Sequence, residues 1–411
     1  MTQADLAING GPKAKTVAYS RPNRYGELEK RYVIEALDEG ALMCTRGTMV
    51  QRFEKAAATR FGTRYAVMTT SGTTAIQTAL AACGVEEGDE VVTTAVADAG
   101  TFMSILTLHA IPVFADLSPD TVSAAPDAVE AVITPRTKAV LVVHMAGIVA
   151  DMDAFLAIGE KHGVAIVEDC SQAHGATWRG QCVGSLGRIG AFSMNESKHM
   201  SCGDGGFMLT NDEETAHVAR LFIDKAYVRG KTERGEEMMA FAATNSRPNC
   251  QSAAIALAQL ERLDDNIGRR AEIASRYYAE LSGLPDLRFP RIADHSCPAW
   301  WPIPVLYTGD APTREELLPV LQAEGLGITS ALSPARGNLH TPVIRNRRFY
   351  PYSDHLPHFL EGVSFEEGAC PVADQISRQV LRLPMDHRFT DLDITETIAG
   401  IRKVWAACVT G

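Results

Sequence analysis

Between residues 62 and 215 short runs of β-forming residues alternate with longer stretches of helical composition. The short runs are RYAVMT, DEVVTTAV, IPVFADL, KAVLVVHM, VAIVEDC, IGAFSM and GFMLTND; TAIQTALAAC and DMDAFLAIGEKHG lie among the segments between them. Nearly continuous apolar runs are what a strand buried on both faces requires, and helical crossovers are what joins parallel neighbours. The pattern predicts an α/β fold: a mainly parallel central sheet with helices on both faces. From Asn249 to Gly283 the sequence reads as helix, and the composition then shifts to Pro, Trp and scattered short runs. We therefore expect an N-terminal arm over 1–25, a large α/β domain over 26–284 and a smaller α+β C-terminal domain over 285–411.

Composition narrows the function. Of 411 residues, 46% are hydrophobic and 22% charged, and no apolar run approaches the ~20 residues a membrane helix needs. The opening MTQADLAINGGPKAK lacks the basic-then-apolar pattern of a signal peptide, so a cytoplasmic location is expected. Nine scattered cysteines form no CxxC pair and no zinc-spaced cluster with histidine, which predicts reduced thiols and no metal. A formal charge of −11 opposes binding to a phosphate backbone, leaving small molecules as the expected partners and excluding nucleic acid and membrane.

In open α/β sheets ligands gather at the carboxyl ends of the strands. After RYAVMT come Ser71, Gly72 and Thr73, opening a helix whose free N–H groups suit a phosphate. After VAIV come Asp169 and Gln172; after IGAF come Ser193 and then Lys198 within NESKHMSCGDGG. A phosphate cradle, a strand-end carboxylate and a lysine match the needs of pyridoxal 5'-phosphate: the carboxylate keeps the pyridine nitrogen protonated, and the lysine forms a Schiff base and moves protons. Singly, each element also has an ordinary structural role as N-cap, turn or solvated cation; their order and spacing favour the joint reading.

The sequence resembles the vitamin B6-dependent sugar aminotransferases of the DegT/StrS type, in the fold-type I superfamily. The resemblance runs from RFEKAAATRFGTRYAVMTTSGTTAIQTAL through VEDCSQAHGATWRGQCVGSLGRIGAFSMNESKHMSCGDGGFMLTND to ACPVADQISRQVLRLPMDH. It implies that Lys198 forms the Schiff base and Asp169 pairs with the pyridinium nitrogen. It further implies that Gln172 lies by the ring hydroxyl, that Ser193 and the backbone of Gly72 and Thr73 hold the phosphate, and that Asn245 reaches the phosphate of a neighbouring subunit. A homodimer with shared sites follows. The implied reaction moves an amino group from glutamate or glutamine to a keto-sugar or keto-cyclitol.

Two positions depart from the family pattern. Where relatives place an aromatic residue over the cofactor ring, register puts Asp98, with Phe102 one helical turn later as the substitute; near the substrate pocket stand Pro248 and Asn249. Relatives that act as dehydratases carry histidine in place of the lysine, whereas Lys198 is present here and favours transamination. A dehydratase, lyase or racemase, or a non-catalytic cofactor-binding sensor, stands as the alternative. Lys225 and Arg229, with Lys231 and Arg234, read either as an anion-receiving rim or as a solvated loop. His144 reads either as a pocket-rim residue or as a hydrogen-bonded structural one. Trp300, Trp301 and Tyr307 are expected in the core of the small domain.

Overall fold

The computed structural model describes residues 2–228, 239–332 and 337–410. All the short runs form strands of one seven-stranded sheet: β1 (Tyr65–Thr69), β2 (Glu90–Thr94), β3 (Ile111–Ala115), β4 (Thr137–Val143), β5 (Ala165–Asp169), β8 (Ile189–Ser193) and β9 (Gly206–Thr210). Between β5 and β8 lies a small hairpin, β6 (Thr177–Trp178) and β7 (Gln181–Cys182), which pairs with β11 (Ser296–Cys297). A separate three-stranded sheet is built from β10 (Leu287–Arg288), β12 (Ile303–Tyr307) and β13 (Val380–Leu383).

The large sheet runs β1-β9-β8-β5-β4-β2-β3. Adjacent residues along each strand enter opposite cores. Val67, Leu141, Ala191 and Met208 pack on one face, and their neighbours Met68, Val142, Phe192 and Leu209 on the other. The period of two, with both faces covered, is why these strands read as apolar throughout.

Strand β9 is the exception to the parallel expectation: it pairs antiparallel with both β1 and β8. A parallel return needs a crossover, usually a helix. The link 194–205 contains no helix, so the chain turns back on itself, and this turn is the lysine-bearing NESKHMSCGDGG stretch. The expected long helix after Asn249 is two, Cys250–Glu261 and Leu263–Leu281, broken at Arg262. Asn249 caps the first by accepting from Ser252 N at 2.8 Å, which accounts for a polar residue there. No helix of the described residues is long and apolar enough to cross a membrane.

Residues 7–20 are anchored on the C-terminal helix Asp391–Cys408 and on Glu324 at the end of helix Arg314–Ala323. Lys15 Nζ lies 2.8 Å from Asp393, both side chains 1% exposed, and Glu324 accepts from the backbone of Ala7 and Ala14. Burial works against the Asp393 carboxylate, but hydrogen bonds from Lys15 and Thr390 outweigh it and hold the group below its ordinary 3.8. A carboxylate depressed in the folded state adds stability above its unfolded pKa and loses it on acidification, here below about pH 4. Replacing Lys15 by Met leaves Asp393 buried without its cation; we expect a loss of about 3 kcal/mol, read as a lower urea midpoint at pH 7.

Candidate active site

Because β9 starts where β1 and β8 end, Gly206 pairs with Thr69 on one side and Ser193 on the other. That geometry brings the N-terminus of helix Gly72–Ala82 against Ser193. The approach is possible only for glycine: a Cβ on Gly72 would sit 2.5 Å from Ser193 Cβ, and one on Gly206 would sit 2.2 Å from the Ser71 carbonyl oxygen. Ser71 caps the helix by accepting from Thr74 N at 3.1 Å. The N–H groups of Gly72 and Thr73 precede the first helical bond, Ala75 N to Ser71 O at 3.0 Å, and open with the Ser193 hydroxyl onto one cavity. A helix N-terminus of this kind favours an anion by its exposed donors and its dipole.

The cavity measures about 320 Å³ and is lined by Gly72, Thr73, Asp98, Asp169, Gln172, Ser193 and Lys198 together with Trp301. Asp169, 4% exposed at the end of β5, accepts from Thr101 Oγ1 at 2.9 Å and from Ser171 N at 3.1 Å. These bonds fix the carboxylate's orientation. Gln172 Oε1 accepts from Ala146 N at 2.8 Å, which ties Gln172 to the turn after β4.

Lys198, 7% exposed, hangs from a loop held by several bonds. Lys198 N donates to Asn195 O at 2.9 Å, and Asn195 Nδ2 donates to Asp204 at 3.2 Å. Arg24, from the N-terminal segment, donates to the carbonyls of Lys198 at 2.8 Å and His199 at 3.2 Å. Burial lowers the Lys198 pKa below the usual 10.5; Asp98 and Asp169 oppose that shift and Arg382 reinforces it. A less basic lysine keeps more neutral, nucleophilic amine near neutral pH.

Several sequence expectations meet a different arrangement. Phe102 does not face the cavity: it is fully buried and packs at 6.1 Å from Phe114. On that helix its neighbour Thr101 turns to Asp169 instead, the two pointing about 100° apart. Of its two readings, His144 has the hydrogen-bonded structural one. It is buried, bonded through Nε2 to Glu168 at 3.1 Å and accepting at Nδ1 from Ala150 N at 3.2 Å. Glu168 also accepts from the backbone of Gly184, Leu186 and Gly187, so His144 and Glu168 are engaged in fold-building bonds. Trp300 and Tyr307 join the core as expected, but Trp301 lines the cavity.

Lys225 lies with Nζ 4.5 Å from the Tyr227 ring and away from the cavity lining; Arg229, Lys231 and Arg234 fall outside the described residues. Asn245 is exposed, bridges backbone to Asp224, and is separate from this chain's own cavity lining. Arg24, Thr101 and Trp301 were not singled out from sequence as site residues. Each acts through a contact distant in the chain, and no local motif marks it.

A model of the DegT/DnrJ/EryC1/StrS aminotransferase family matches residues 23–336. A candidate L-glutamine:3-amino-2,3-dideoxy-scyllo-inosose aminotransferase of Streptoalloteichus tenebrarius is 33% identical, over 97% of this chain and 98% of that protein. The dTDP-3-amino-3,4,6-trideoxy-alpha-D-glucose transaminase of Streptomyces venezuelae is 32% identical, over 91% of each. The solved structure of S. venezuelae DesV in complex with a ketimine intermediate superimposes with a TM-score of 0.77 at 32% identity, covering 91% of this chain and 93% of that one. The architecture is that of the fold-type I pyridoxal phosphate enzymes.

The cradle makes a steric prediction. Gly72→Ala drives a methyl group into Ser193 and is expected to cost about 1–3 kcal/mol of stability, measured by urea unfolding. An alanine at exposed Gly268, inside helix Leu263–Leu281 where an added Cβ meets nothing within 4 Å, serves as the control and should raise stability by up to about 1 kcal/mol through helix propensity.

Proposed function

Because the chain belongs to the DegT/DnrJ/EryC1/StrS aminotransferase family, it is an aminotransferase, and we propose that it uses pyridoxal 5'-phosphate held by Lys198 to move an amino group from glutamate or glutamine to a keto-sugar or keto-cyclitol. The observation that carries this reading is the convergence of Lys198, Asp169 and the Gly72 helix N-terminus on one cavity. The donor set fits the cofactor. N–H groups of Gly72 and Thr73 and the Ser193 hydroxyl would hold its phosphate, Asp169 its ring nitrogen and Gln172 its ring hydroxyl. When bound, the cofactor supplies an electron sink for negative charge at the substrate carbon.

The protein's own groups then have defined tasks. Thr101 fixes the orientation of the Asp169 carboxylate, which would face the ring nitrogen. The Lys198 amine would serve as the proton shuttle, taking the proton from the donor's α-carbon and giving it up again within the same site. Its lowered basicity suits that shuttle. The acceptor repeats the steps in reverse. Asn245, exposed near Asp224, is assigned to the partner's phosphate in a homodimer, and the large and small domains divide near 284. The similar proteins named above include a cyclitol and a nucleotide-sugar enzyme, which supports the acceptor class; retention of lysine at 198 favours transamination over dehydration.

Mixing the protein with pyridoxal phosphate is expected to give the visible absorbance of lysine-bound cofactor, and glutamate or glutamine should bleach it. Formation of that band should rise with pH through a midpoint below 10.5, the usual lysine value. In Lys198→Ala the band should be missing and transamination should fall about a thousandfold. A Lys198→Ala protein with normal turnover would overturn the assignment.

A further inference from the structure

We propose that the indole of Trp301 is the wall on which the Lys198 amine docks when it is not bonded to cofactor, and that it replaces the aromatic face absent at Asp98. The proposal rests on the reading of Lys198 as the cofactor lysine. Among the described residues lining the cavity, Trp301 is the one aromatic side chain. Lys198 Nζ lies 4.4 Å from its ring centroid, within the range of a cation–π contact.

The ring is held from both sides of the lysine. Its Nε1 donates to Ser197 O at 3.0 Å, one residue before Lys198. One residue after, His199 Nε2 bonds to Ala299 O at 3.1 Å. His199 is buried and neutral, its pKa pushed well below 6.5 by burial, so Nε2–H is the donor. The segment is also seated on the turn after β4, where Trp301 N donates to Ala146 O at 2.8 Å and Ala299 N to Gly147 O at 3.0 Å. Gly147 is required there: at φ +80° its missing Cβ would meet Trp300 N at 2.6 Å. The lysine loop and the tryptophan segment thus form one locked unit, although about a hundred residues separate them in the sequence.

A lysine released from its cofactor has a flexible stem that must stay near the reacting carbon. An indole beneath the amine restricts it and favours its charged form. The other groups facing Lys198 are Asp98 from the start of helix Ala99–Leu106, Asp169 from β5 and Arg382 from β13. Arg382 also lies on Trp301, its guanidinium carbon 4.9 Å from the ring centroid. His174, held neutral by burial with a pKa of about 3, and His199 add no charge at working pH.

The test uses full-length protein loaded with pyridoxal phosphate, with Trp301→Leu and Trp301→Phe compared in single-turnover reaction with saturating glutamate or glutamine. Removing the ring is expected to slow the donor half-reaction about three- to thirtyfold and to move the acidic limb of its pH profile to lower pH, because the amine loses a partner that favours its proton. Trp301→Phe should move both in the same direction by less, and carries the test alone if Trp301→Leu does not fold. Unchanged rate and pH profile overturn the proposal, as does slowing with a fixed pH profile, which marks a merely structural role. These outcomes are separable from failure of the lysine assignment, which Lys198→Ala reads independently through the visible band.

Discussion

The contact on which the site depends is the close packing of backbone at Gly72, Gly206 and Ser193. A methyl group at either glycine would overlap atoms that cannot move without parting two strands. This packing sets a helix N-terminus and a strand-end hydroxyl beside one another. It is itself a consequence of β9 entering the sheet between β1 and β8 in the opposite sense to its parallel neighbours. Core atoms on both faces, among them Phe192 stacked on Phe207 at 4.5 Å, keep those strand ends in register.

The same reversal produces the lysine loop. With no helix between β8 and β9, the chain spends that link over the carboxyl edge of the sheet and carries Lys198 to the cavity. A loop in such a place has unpaired carbonyls, and here they are taken by Arg24, Trp301 and backbone donors. Buried polar groups need partners. The partners come from the first thirty residues and from beyond residue 299, so Lys198 is positioned by segments far from it on both sides of the sequence. Desolvation of the lysine then becomes an electrostatic balance: Asp98 and Asp169 restore part of the charge stability that burial and Arg382 remove.

Much of this was legible in the sequence. All seven strand segments, the capped helix after SGT, and Asp169 and Lys198 as strand-end and loop residues follow from period, turn chemistry and position. Where the reading fell short, neighbours on one helix or one strand had to be told apart. Phe102 and Thr101 are adjacent, and only packing against Phe114 and Asp169 shows which faces the site. His144 follows a strand as site residues do, and of the two readings its sequence left open, the bond to Glu168 on the neighbouring strand selects the structural one. Trp301 was placed in the core with Trp300 because two adjacent tryptophans carry the same composition signal.

By itself the sequence determined the strands, the helix start and the residue types able to hold a phosphate, a ring nitrogen and an aldehyde, because periodicity and capping act over a few residues. Only the tertiary structure decided the antiparallel sense of β9, the clamp of Arg24 on the lysine loop, the anchoring of Asp169 by Thr101 and the place of Trp301 beside Lys198. Those depend on contacts between segments tens to hundreds of residues apart, and steric fit and desolvation across such distances leave no mark in any local run of the chain.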